Sequence, residues 1–498
     1  ANELQSIRQM LVETAYPRVI EDPSTCLLEG KFSQYAKKSA LVSGQGAMSY
    51  LALYQQANHV AQYLRLGGLQ AGDVVAVSVH QTDLQSIALL GIHLAGLTYL
   101  LVEDDWDVVQ LQQITAVIDV ALQLDDQHVT SILSREGDLD SQWAGKQDDD
   151  NACVLCEFDP LGQVIIATLT YGQASHQVSW LQRNFELRAF DQALFDVPLT
   201  ASEYCWALMW PLSVGATLIR DSHELLNGMQ ACLQNPTFVL LDDAVSLNET
   251  AKMMCVDHVR TVLSRHQVQE DTSRMVSERF SGAKHYSLFS VLECGGPVGC
   301  YQYGKSYRLE QMQIGCPGDN MRYHIYDGKL RTMPIGLPGT FMVSGVQVAN
   351  VLTPGHRLVE KNIRGETLKY VNLGFKARLL SNGEVECVEL PAEIKTNVLQ
   401  QPISSEVTDK VVAIVQSLLP SIPVLLSHDF FKLGGNSLMV SQLCYRLSEC
   451  FKVEVTLNAI LKGCTIRELI ISVEQCLLEQ SQSLCHDQTT YLEKSLAS

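Results

Sequence analysis

The feature that most constrains the fold of this chain is a change of hydrophobic period near residue 390. Up to that point short apolar runs alternate with helical patterns: Val74–Val79 reads as a buried strand, Leu84 to Ala95 as a helix ended by Gly96, and Tyr99–Val102 as the next strand. From Gly336-Leu337-Pro338-Gly339 onward the pattern predicts short β pieces with turns. Past Ser405 only helical spacing recurs. Val407, Val411, Ile414, Val415, Leu418 and Leu419 mark an amphipathic helix that stops at Pro420, and Leu438, Val440, Leu443, Leu447 and Phe451 mark another. Leu457, Ile460 and Leu461 suggest a short helical turn, and Thr465 caps a last helix carrying Ile466, Leu469, Ile470, Val473 and Leu477. At 498 residues the chain is too long for one core. The expected organisation is an α/β domain over 1–390, a linker over 391–404, an all-α four-helix bundle over 405–480 and a polar tail over 481–498.

Composition excludes several function classes. A net charge of −19 leaves no basic patch with which to neutralise nucleic-acid phosphates. No apolar run is long enough to span a bilayer and no signal-peptide pattern opens the chain, so neither a membrane nor secretion is expected and the protein reads as cytoplasmic. Fifteen Cys are scattered through apolar stretches rather than arranged in a framework. Cys153 and Cys156 form a Cys-x-x-Cys, but in a strand-like run without a second pair; the reading favoured is buried free thiols in a reducing compartment over a metal or redox site.

The run Asp429-Phe430-Phe431-Lys432-Leu433-Gly434-Gly435-Asn436-Ser437-Leu438 carries the strongest functional signal. Two Phe and a Leu anchor a loop, two Gly free its backbone, and Ser437 then opens a helix, where unpaired N–H groups and the positive end of the dipole favour a phosphate. An ordinary N-cap Ser after a turn gives the same local pattern, but the flanking helices complete a small bundle with that Ser at the start of its second helix. The span 405–479 resembles the peptidyl carrier domain of nonribosomal peptide synthetases. The resemblance implies that Ser437 carries a covalent 4′-phosphopantetheine arm tethering an acyl or aminoacyl group as a thioester. It also implies three kinds of partner: a phosphopantetheinyl transferase, a trans-acting adenylation or acyl-transfer enzyme, and a condensation or tailoring enzyme docking beside Leu438, Met439, Val440 and Gln442.

Residues 1–390 resemble the large N-terminal core of the adenylation domains of the same synthetases, in the ANL superfamily. The landmarks are Ser49-Tyr50-Leu51-Ala52-Leu53, His93-Leu94-Ala95-Gly96-Leu97-Thr98-Tyr99, Trp206 with Trp210-Pro211 and Gly215-Ala216, and Pro334-Ile335-Gly336-Leu337-Pro338-Gly339, where Thr340 stands in a Glu position. Set against that pattern, the chemistry is missing. The phosphate loop of the family, roughly Thr-Ser-Gly-Ser-Thr-Gly-x-Pro-Lys-Gly, falls without gaps on Glu157 to Ile166. Only Gly162 survives, Ile165 replaces the Lys, and Glu157 and Asp159 add negative charge where a triphosphate would sit. The Asp that holds a substrate ammonium falls on Ser202, preceded by Ala201, while Asp196 lies six residues too early. Glu293 survives in Phe289-Ser290-Val291-Leu292-Glu293 although Leu292 replaces a Thr, and the ribose-gripping carboxylate falls on Phe375 in Leu373-Gly374-Phe375. The mobile C-terminal subdomain that supplies a catalytic Lys in the family is replaced by the linker Glu389 to Ser404. The expectation is a truncated pseudo-adenylation domain that does not use ATP, with no catalytic residue and no metal, serving as a structural or docking platform beside a working carrier loaded in trans. Two alternatives remain open. The cleft could run altered chemistry, with Glu293, Glu157 and Asp159 as candidate carboxylates and the adjacent carrier as its acceptor. The large domain could also be a remnant that solubilises the carrier.

Overall fold

The computed structural model describes residues 28, 30–103, 106–135, 147–158, 163–195, 199–220, 236–241, 258–265, 276–280, 282–304, 312–353, 358–363, 366–389, 405–418, 430, 437–453, 466, 469–470 and 473. The chain divides into two compact units, 1–399 and 400–498.

The large unit opens with a hairpin, β1 (Ser39–Ser43) and β2 (Gly46–Ser49), leading into α1 (Tyr50–Leu66), whose N-cap Ser49 accepts from the Ala52 N–H. Strands and helices then alternate: β3 (Val74–Ser78), α2 (Thr82–Ala95), β4 (Thr98–Leu101), α3 (Val108–Thr115), β5 (Val120–Asp125), α4 (Asp126–Leu133), β6 (Asn151–Phe158), β7 (Val164–Thr170) and α5 (Tyr171–Phe185). Helix α2 ends at Gly96 in the left-handed conformation (φ 65°), as the sequence led one to expect. Helices α1 and α2 approach so closely at Gly91 that a Cβ there would lie 2.8 Å from the Ala57 carbonyl oxygen. The following elements are β8 (Gln192–Leu194), α6 (Ala201–Ala207), α7 (Met209–Val214), β9 (Thr217–Ile219), β10 (Phe238–Leu241), β11 (Thr261–Ser264), β12 (Lys284–Val291) and β13 (Gly296–Gln302). The unit closes with β14 (Gln313–Pro317), β15 (Met321–Tyr326), β16 (Gly339–Gly345), β17 (Asn350–Val351), β18 (Leu358–Ile363), β19 (Glu366–Leu379) and β20 (Val385–Glu389). The expectation of short β pieces after Gly336 is corrected in one respect: β19 is 14 residues long, because it serves β16, β18 and β20 as a common partner. Glu389, expected in the linker, is the last residue of β20.

Two sheets result. The smaller runs β17-β7-β6-β4-β3-β5, and the larger runs β15-β16-β19-β20-β14-β13-β12-β11-β10-β8-β9-β1-β2, with β18 on β19. Strands β8 to β12 pair in parallel, so their carboxyl ends, from Leu194 to Val291, lie along one edge of the sheet. Open α/β sheets place their crevices there. A single hydrophobic core joins the two sheets through the helices, with Tyr50, Leu101, Cys153, Phe195, Trp206, Trp210 and Phe238 all buried in it. A second core lies within the antiparallel part, around Phe341, Val343, Val371, Phe375 and Ala377.

In the second unit, α8 (Ser405–Leu418) and α9 (Ser437–Phe451) bury Val407, Val411, Val415, Val440, Leu443 and Leu447, and Phe430, Ile466, Leu469, Ile470 and Val473 are buried as well. Apart from Phe430, a loop anchor in the sequence, these are positions that the helical spacing selects, whereas Ile414 and Phe451, also selected, are half-buried. Leu457, Ile460, Leu461 and the tail 481–498 lie outside the described residues.

Candidate functional site

The loop expected to cradle phosphates is mostly strand. Glu157 pairs with Ile165, Cys156 with Ile166 and Phe158 with Val164, so only 159–163 remain to join β6 to β7. The ten-residue reading of the loop is corrected here. Val164-Ile165-Ile166 is an apolar, β-branched run with high strand preference, and it is buried on the sheet. The outer edge of β7 is covered too: the Ile166 N–H donates to Thr353 Oγ1 (3.1 Å), and the Leu352 N–H donates to the Ile166 carbonyl (2.8 Å). Glu157 is exposed at the end of β6, while Asp159 and Gly162 lie outside the described residues.

Around the expected substrate anchor, several side chains are bonded to one another. Ser202 is half-buried in the first turn of α6, its Oγ 3.1 Å from Thr200 Oγ1. Thr200 and Glu203 form a reciprocal capping box. Glu203 is buried and also meets Arg265, just past the end of β11, with Nε 2.7 Å from Oε1. Sequence reasoning missed this ion pair. The Thr200-x-x-Glu203 spacing gave the cap, but nothing local pointed to a cation 62 residues later in the numbering. Beside it, Arg220 donates to the Tyr204 hydroxyl (3.2 Å), which is in turn bonded to Gln85. Trp206 and Trp210 are fully buried, and Trp210 Nε1 donates to Gln182 Oε1 (2.7 Å). Asp196 lies outside the described residues.

Glu293 sits in a one-turn 3₁₀ helix, Leu292–Cys294, between β12 and β13, and is 1% exposed. The turn is fastened to α5: Gln177 Nε2 donates to the Cys294 and Gly295 carbonyls (3.2 and 2.8 Å). Gly295 is left-handed (φ 69°), and a Cβ there would lie 2.4 Å from Leu169 Cδ1. On the other side the Ala349 N–H donates to the Glu293 carbonyl (2.7 Å), and Gln347 Nε2 bonds His176 Nδ1 (2.8 Å). Phe375 is far from this polar cluster in character. It is buried in the second core, its ring centroid 5.4 Å from that of Phe341, with Leu373 buried beside it. Paired strands thus stand where the gap-free match puts the phosphate loop, and Phe375 lies in a hydrophobic core where it puts a carboxylate.

The expected carrier Ser behaves differently. Ser437 is the first residue of α9, a 15-residue helix, so the orphan N–H groups of a long helix lie at that position. Arg446 Nη1 donates to Ser417 Oγ (2.7 Å), linking α9 to α8. Met439 is half-buried and Gln442 exposed on the same helix. Among the described residues there is no group of three or more His, Cys, Asp or Glu able to hold a metal, and no helix long and apolar enough to cross a membrane.

Comparison with known proteins agrees with this division. The family model for AMP-binding enzymes matches residues 28–159, and the model for the phosphopantetheine attachment site matches 409–472. Enterobactin synthase component F of Shigella flexneri is 23% identical over 418 residues, covering 74% of this chain and 31% of its own length. Bacitracin synthase 3 of Bacillus licheniformis is 22% identical over 356 residues, covering 65% of this chain and 5% of its own length. The chain thus spans less than a third of the curated relatives it matches. Among solved structures, the Klebsiella oxytoca NpsA N-terminal subdomain in complex with 3-hydroxyanthranilyl-AMSN superposes with a TM-score of 0.64 at 14% identity, over 74% of this chain and all of that one. NpsA-ThdA, an artificially fused adenylation-PCP di-domain from the same organism, gives 0.65 at 14% identity over 89% of this chain. At such identities the likeness shows the fold alone. The attachment-site match brings with it a covalent 4′-phosphopantetheine, and the carrier itself has no need of ATP. The chain therefore carries a segment similar to AMP-binding enzymes over 28–159, within an α/β core that has the fold of an adenylation subdomain, followed by a phosphopantetheine attachment domain over 409–472, and the relatives it resembles are nonribosomal peptide synthetases.

Proposed function

We propose that this protein is a carrier with a silent adenylation-type core. Ser437 takes the 4′-phosphopantetheine arm from a phosphopantetheinyl transferase, and a separate adenylation or acyl-transfer enzyme loads it in trans. The core serves as a platform on which the loading enzyme, or the condensation or tailoring enzyme that follows, docks. The observation that carries this reading is Phe375, packed against Phe341 inside a hydrophobic core where the ribose-binding carboxylate of the family would stand. The paired strands at the phosphate position and the Glu203–Arg265 pair beside Ser202 support it. Each such loss removes on the order of a few kcal/mol of transition-state stabilisation, and several together leave no useful rate. Treatment of the full chain with CoA and a phosphopantetheinyl transferase, followed by intact-protein mass spectrometry, should show one added arm. ATP–pyrophosphate exchange with a panel of amino and aryl acids should stay at background. An unmodified Ser437, or exchange above background, overturns the corresponding half.

A second reading, in which the core loads its own carrier by altered chemistry, draws on Glu293, a carboxylate kept in a buried turn next to the His176–Gln347 contact. Nucleotide binding measured by calorimetry separates the two, because the platform reading requires none.

A further inference from the structure

The Cys-x-x-Cys of the sequence is not a unit in three dimensions. Successive side chains on a strand point to opposite faces, so Cys153 and Cys156 of β6 part company. Cys156 joins the small cluster around Leu100, Ile114 and Ile166, whereas Cys153 enters the main core. There Cys153 Sγ lies 3.4 Å from Cys205 Sγ on α6, and the Tyr99 hydroxyl of β4 lies 3.0 Å from the same Cys205 sulfur. Both cysteines are buried. Cys205 and Tyr99 also line a cavity of about 20 Å³, shared with His93, Tyr171 and Ser175. That is room for roughly one water-sized molecule.

We propose that Cys153 and Cys205 are an oxidative modification site: a hydrogen peroxide molecule whose leading oxygen enters this cavity converts the two thiols into a disulfide that ties β6 of the smaller sheet to α6. This inference is independent of the carrier reading. The two sulfurs are electronically unlike. Hydrogen bonds from Cys153 and Tyr99 pull the Cys205 thiol down, against the opposing effect of burial. Burial pushes the Cys153 thiol up. Cys205, which lines the cavity while Cys153 does not, is the sulfur that a peroxide meets first, and its thiolate is the attacking form. Its thiolate displaces hydroxide from the peroxide, the O–O bond breaks, and Cys205 becomes a sulfenic acid while the hydroxide takes up the released proton as water. The Cys153 sulfur then attacks that of Cys205, the S–O bond breaks, and the departing hydroxide leaves with the Cys153 proton as a second water. Two thiols lose two electrons in total, and the two peroxide oxygens gain them.

The test is peptide mapping of the folded full chain after hydrogen peroxide, with unfolding and alkylation of the remaining thiols. The expected product is a peptide linked through Cys153 and Cys205, reversed by dithiothreitol and absent from the Cys205→Ala variant. Cys294, equally buried but with its thiol pushed up by burial, should be alkylated in full. The cross-linked protein should unfold at least tenfold more slowly than the reduced one. The proposal is overturned if Cys153 and Cys205 are both recovered alkylated after treatment that oxidises the exposed Cys316 and Cys450. It is equally overturned if the link forms instead between Cys300 and Cys316, which face each other across β13 and β14. The mapping on the unmodified chain decides the matter even if the variant does not fold.

Discussion

The carboxyl edge of the large sheet and the first turn of α9 are both places where an architecture of this kind can meet a phosphate, and their residues differ in kind. At the sheet edge, side chains face each other: Glu203 meets Arg265 and Arg220 meets Tyr204, while in the antiparallel part Phe375 packs on Phe341. At α9, a Ser opens a 15-residue helix whose hydrophobic side is packed through Val440, Leu443 and Leu447. The comparison teaches that a fold can hold through the apolar area it buries whatever polar groups its clefts carry. A carrier cannot economise in this way: its function is one hydroxyl in one place.

The sharpest way to break the contrast is Ser437→Ala, which should abolish the mass gain on treatment with CoA and transferase while leaving the helical circular dichroism unchanged. Next is Phe375→Asp, which puts back the carboxylate of the family. If the position is now core, the change should destabilise the large unit by roughly 3–5 kcal/mol in urea unfolding and restore no nucleotide binding. A stable variant that binds ATP would mean that the cleft is merely dormant. Glu203→Ala removes one partner of a buried ion pair and should cost roughly 3 kcal/mol, again by urea unfolding. A smaller effect is expected from pH. Burial holds His285, which is bonded to Ser264 (2.7 Å), down at about 3, well below its ordinary 6.5. The unfolded chain therefore binds a proton between those two values that the folded chain refuses. Stability contributed by this site is complete above pH 6.5 and falls as the solution is acidified, by about 2 kcal/mol between pH 6.5 and 5. Urea midpoints at the two pH values should show that difference, and His285→Asn should flatten it. Smallest is Met439→Glu, expected to weaken binding of the docking enzyme roughly fivefold, about 1 kcal/mol, without slowing modification of Ser437.

Much of the site was legible because its signals are local. Helical spacing gave Val411, Val415, Val440 and Leu443 as core, the Gly after Ala95 gave the end of α2, and the motif gave the helix that starts at Ser437. The phosphate loop was misjudged in length because a gap-free match carries over a loop from another sequence, whereas the β-branched residues 164–166 belong to a strand whose partner, 156–158, lies earlier in the chain. The Glu203–Arg265 and Cys153–Cys205 contacts escaped for a related reason. Neither spacing has meaning along the chain, and each pair meets only after β6, α6 and β11 are assembled around one core.

The sequence alone therefore determined the two architectures, the buried faces of α8 and α9 and the start of α9 at Ser437, since periodicity and capping act over a turn or two. Only the tertiary structure decided that Glu203 meets Arg265, that Phe375 packs on Phe341 and which sulfur Cys153 touches. Contacts between strands and helices distant in sequence depend on register and packing, and these are properties of the assembled sheets rather than of any segment.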